Sequence, residues 1–125
     1  MSGTKLDGAG TQKMKTLEDA LATIQHIHGI IERMAMDVKN NRGAGIAPGQ
    51  IKRVATNLQG QLKGQFGMIA DQVSGMIIAL GRGGGEQNKV RAARESIAQI
   101  RQAIEIMVHK VKEQHSVQIT TSDDA

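Results

Sequence analysis

Apolar residues recur along this chain at intervals of three and four, with polar residues between them. Leu17, Ile24, Ile31 and Val38 stand seven apart, and Ala20, Ile27 and Met34 fill the second position of the same seam. Leu21 and Ile30 widen the stripe on either side, so this helix can meet two neighbours. Thr16 reads as its N-cap, with Asp19 three residues on in an approximate capping box. The pattern ends near Asn40-Asn41 and predicts a helix over 16–40.

A Gly- and Pro-containing break over 42–49 follows, and Pro48 suits the first turn of a new helix. Ile51, Ala55, Leu58, Leu62, Phe66, Ile69, Val73, Met76 or Ile77, and Leu80 then predict one long helix over 48–80, with Gly81 as its left-handed cap. A Gly-rich turn leads to a third helix over 86–114. There Val90, Ile97, Ile104 and Val111 alternate with Ala93, Ile100 and Met107 as two seam positions. Glu95 and Glu105 are expected to pair with Arg91, Arg94 and Arg101 on its surface.

The expected fold is all-α: an antiparallel bundle of three long amphipathic helices over 16–115, open to assembly into a larger intermolecular bundle. Residues 1–15, polar and aperiodic, are expected to be a disordered arm. Residues 116–125, with Val117 and Ile119 before an acidic end, are expected to be a frayed tail, with a short extended segment as the alternative.

Composition narrows the chemistry. The 125 residues include one Phe, no Trp, no Tyr and no Cys, so the core is aliphatic and thiol chemistry is excluded. Lack of cysteine, of a secretory leader and of a membrane-length apolar run leads to an expected cytoplasmic location. The net charge of +4 is mildly basic.

One feature departs from helix economy. Gly60, Gly64, Gly67 and Gly75 fall within the long second helix, each costing about 1 kcal/mol relative to Ala. On an ideal helix they share a strip with Asp71 and Ile78, preceded by Arg53. Small residues let another backbone come close. The strip is therefore the expected contact surface for a second copy or for a partner helix. The competing readings are packing against the third helix and a break in the second.

No catalytic, metal or cofactor site is expected. His26 and His28, and likewise His109 and His115, lack the i, i+4 spacing of paired ligands. His28 flanks the seam and reads as a half-buried, hydrogen-bonded histidine. The 81–86 turn is neither a P-loop nor a dinucleotide fingerprint. The expected function is that of a non-enzymatic scaffold or adaptor. The alternative is a small nucleic-acid-binding protein using the N-terminal arm and Lys89, Arg91, Arg94 and Arg101 of the third helix.

Overall fold

A computed structural model describes residues 2–82 and 84–120; Met1, Gly83 and the tail 121–125 lie outside it. The described chain is helical with a short terminal ribbon. Its order is β1 (Ser2–Leu6), α1 (Gly8–Lys39), α2 (Ala47–Lys63), α3 (Gly67–Gly81), α4 (Glu86–His115) and β2 (Ser116–Thr120).

The apolar seams are buried where the spacing places them, except Val38 and Met107, which are partly buried at the core's edge. Leu17, Ile24, Ile27, Ile31 and Met34 of α1 are fully covered, as are Ile51, Leu58, Leu62, Met76, Ile100 and Ile104. No polar side chain is buried among the described residues, so the core holds together by aliphatic packing alone.

The helix count is four, not three. The long second helix breaks at residues 64–66, and α2 and α3 fold against each other. Two causes act together. Gly64 and Gly67 flank the break, and glycine gains least from helical continuation. Phe66 leaves helical geometry, at φ −133° and ψ 62°, and its ring is buried in the core. The Phe66 N–H still donates to Leu62 O at 2.7 Å and closes the last turn of α2. A straight helix would lose the packing of α2 on α3, which brings Leu58, Leu62, Ile69 and Val73 into one core. The glycine cost anticipated for a continuous helix is therefore avoided at Gly64, a cap, and at Gly67, the first residue of α3.

Each helix packs against two neighbours: α1 on α4 and α2, and α3 on α2 and α4. Sequential helices run antiparallel, as short connections require. Thr23 of α1 reaches Gln61 of α2, Gln59 of α2 donates to Ser74 of α3, and Gln25 of α1 meets Arg101 of α4. With 32 and 30 residues, α1 and α4 are about twice as long as α2 and α3, at 17 and 15. The early part of α1 and the late part of α4 therefore continue beyond the four-helix head as a two-helix stem.

The stem takes in most of the expected N-terminal arm, from Gly8 onward, and Ser116–Thr120 of the expected tail are extended, while the rest of that tail, 121–125, lies outside the described residues. α1 starts at Gly8, and Asp7, not Thr16, is its N-cap, accepting from the Gly10 N–H at 2.6 Å. Thr16 lies inside α1 and donates back to Gln12 O at 3.2 Å, the usual alternative for a mid-helix threonine. β1 and β2 pair antiparallel, Ser2 opposite Thr120 and Leu6 opposite Ser116. Each segment alone lacks periodicity. They become a ribbon because α1 and α4 deliver them side by side.

The connectors are also defined. α1 ends at Lys39 with Asn40 as its C-cap, and Asn41, Gly43 and Gly45 take positive φ in the turn. The Ala44 N–H donates to the Glu86 carboxylate, which ties this loop to the start of α4. Before α4 the left-handed glycine is Gly84, whereas Gly81 closes α3.

Candidate interaction surface

The break in the second helix divides the predicted strip. Arg53 lines a groove between α1 and α2. Gly60 lies in the last turn of α2, Gly64 caps it and Gly67 begins α3, all three exposed. Asp71, Gly75 and Ile78 stay together on the exposed side of α3. A Cβ added at any of these four glycines would meet nothing within 4 Å. The glycines therefore do not serve close packing within the chain.

Met68 joins the α3 group. Met68, Asp71, Gly75 and Ile78 follow at intervals of three, four and three, which places them within about 80° of arc. The buried side of α3, carrying Ile69, Val73, Met76 and Leu80, is opposite. Met68 is 85% exposed and Ile78 is 58% exposed. Asp71 is the one charged residue in the whole helix. A surface helix ordinarily carries a charged outer face; the stripe on α3 instead sets a single charge, Asp71, and Gly75 between two large apolar side chains. Sequence reasoning missed Met68 because it belongs to no core seam. Its signal is the 3-4-3 spacing to Ile78 outside the core register.

The remaining predicted cations are placed otherwise. Arg94 makes a two-pronged pair with Glu32 of α1, through Nε at 2.8 Å and Nη2 at 2.7 Å, instead of pairing along its own helix. The hydrogen bond and charge of Arg94 hold the Glu32 carboxyl below its ordinary range, and Glu32 raises Arg94 in turn. Arg101 donates to Gln25 at 3.2 Å. Two of the four cations of the nucleic-acid alternative are thus engaged in holding α4 to α1. Arg91 is exposed, and Lys89 is partly exposed.

The histidines take separate roles. His28 is half-buried with Nε2 4.0 Å from Glu32. His115 meets the Asp7 carboxylate through Nδ1 and Lys13 Nζ through Nε2, at 3.3 and 3.2 Å. The sequence gives no hint of that cluster, because Asp7 and His115 lie at opposite ends of the chain. No group of three or more metal-ligating side chains occurs among the described residues. No described helix is long and apolar enough to cross a membrane. No protein-family model matches the chain, and no curated protein or solved structure is detectably similar to it.

Proposed function

We propose that this is a non-enzymatic assembly protein whose outer α3 face docks the same face of a second copy. The observation that carries the reading is the stripe Met68–Asp71–Gly75–Ile78. Its 3-4-3 spacing is symmetric about residue 73. An antiparallel second copy therefore sets Met68 against Ile78 and Asp71 against Gly75, twice over.

Such self-complementarity is what a two-fold interface demands. Each large apolar side chain finds an apolar partner. Gly75 leaves room for the facing Asp71 and lets the helices approach closely. One short helix per copy makes a small interface, so an affinity of about micromolar strength is expected. The helical head then serves as a scaffold, leaving the stem and its ribbon to project from the dimer.

The absence of cysteine makes the geometry directly testable. Met68→Cys combined with Ile78→Cys is treated with a short bismaleimide. A covalent dimer is expected from the double variant and little from either single variant, because like positions lie about 15 Å apart along the axis. Equal cross-linking by a single variant would point to a parallel or unrelated contact.

A further inference from the structure

The groove between α1 and α2 has a different chemistry from the α3 stripe and contains no α3 residue. It has a volume of about 550 Å³, and its walls carry Arg33 and Arg53 with His26, Gln25, Gln50 and Asn57. Ile30 and Val54 give it an apolar floor, and Gly29 leaves one wall without a side chain. No carboxylate lines it.

The two arginines come from facing helices at nearly the same level, since the α1–α2 pairing places Thr23 by Gln61 and Arg33 near Gln50. Neither makes a salt bridge among the described residues. Asp37, one turn beyond Arg33, turns to Arg42 at 3.5 Å. The positions one turn either side of Arg53 hold Gly49, Gln50, Thr56 and Asn57, none of them acidic. Arg94 and Arg42, by contrast, each meet a carboxylate, Glu32 and Asp37. Two like charges sharing a groove without a counter-charge repel each other, and an anion between them reverses the sign of that interaction. Guanidinium groups also match phosphate oxygens two at a time.

We infer that this groove binds a small phosphate-bearing molecule, held between Arg33 and Arg53 with amide and imidazole donors from Gln25, Gln50, Asn57 and His26. The groove is open to solvent, and its size suits a compact ligand, within the range of small-molecule sites. A polynucleotide backbone would instead need cations spread along a face.

The test is a titration of the full ¹⁵N-labelled chain with inorganic pyrophosphate, followed by amide shifts. Saturable shifts confined to residues 25–33 and 50–57 are expected. Arg33→Gln and Arg53→Gln should each weaken binding about tenfold or more. Gly29→Leu keeps every charge and fills the open wall, where an added Cβ meets no neighbour, so it should abolish binding with circular dichroism unchanged. Non-saturating shifts spread over all basic residues would overturn the inference. So would undiminished affinity in both glutamine variants, or saturation of the groove by a short duplex oligonucleotide but not by pyrophosphate.

Discussion

Gly10 and His115 are locked together across the stem: the His115 side chain fills the space where a Gly10 side chain would stand. A Cβ at Gly10 would overlap the His115 Cβ and lie 3.1 Å from its Cγ. Gly10 has ordinary helical geometry, so alanine alone would favour α1 by about 1 kcal/mol. The overlap reverses this. Gly10→Ala is expected to destabilise the protein by about 1–3 kcal/mol in urea unfolding. Adding His115→Gly removes the obstructing Cβ and should recover part of the loss relative to His115→Gly alone. A stabilising Gly10→Ala would show that the stem is not closed as described.

Asp7 makes the same end of the molecule sensitive to acid. Its carboxyl is held below the ordinary range, chiefly by the hydrogen bond from the Gly10 N–H and further by His115 and Lys13. A carboxyl lowered on folding contributes stability that is present above its unfolded pKa, near 3.8, and lost as pH falls through its folded value. Protection of the Gly10 and Thr11 amides from hydrogen exchange should therefore fall below about pH 4. Asp7→Asn retains the cap and should flatten that dependence. An unchanged pH profile in Asp7→Asn would assign it elsewhere.

Phe66 holds the α2–α3 turn. Its ring is buried where the backbone leaves helical geometry, so Phe66→Ala removes the main gain from breaking the helix. A loss of roughly 3–5 kcal/mol in denaturant unfolding is expected. A loss below about 1 kcal/mol would mean that Gly64 and Gly67 alone set the turn.

These residues show where sequence reasoning reached and where it stopped. The seams were legible because burial on a helix repeats at its own period: Val90, Ala93, Ile97, Ile100, Ile104 and Val111 are all buried. Met36 and Ile106 are exposed because they fall out of that register. The break at 64–66 was not, because apolar spacing runs through it without a change of phase. Leu62, Phe66 and Ile69 continue the helical count while the backbone turns back. The glycines were noticed, but a stripe on one long helix and a hinge between two short ones share the same spacing. The stem, the Asp7–His115 contact and the Arg33–Arg53 groove depend on pairings between distant segments, which no local period encodes.

Asp71 gives the proposed dimer an electrostatic signature. In the antiparallel arrangement the two Asp71 carboxylates lie about one helical turn apart along the axis, roughly 6 Å. They repel, and α3 carries no cation to relieve them. Asp71→Asn should tighten self-association about three- to tenfold at low salt, and the difference should vanish near 0.5 M salt. Sedimentation equilibrium measures both. Weaker association in Asp71→Asn would mean that Asp71 faces a basic group instead.

Size-exclusion chromatography with light scattering, at about 0.1 mM chain, tests the assembly reading most directly. The wild-type protein is expected to elute with twice the 13.4 kDa chain mass. Ile78→Glu, a change at an exposed position outside the core, should return it to the single-chain mass with helix content intact. A wild-type protein of 13.4 kDa at that concentration, or an Ile78→Glu variant that keeps the double mass, would contradict it.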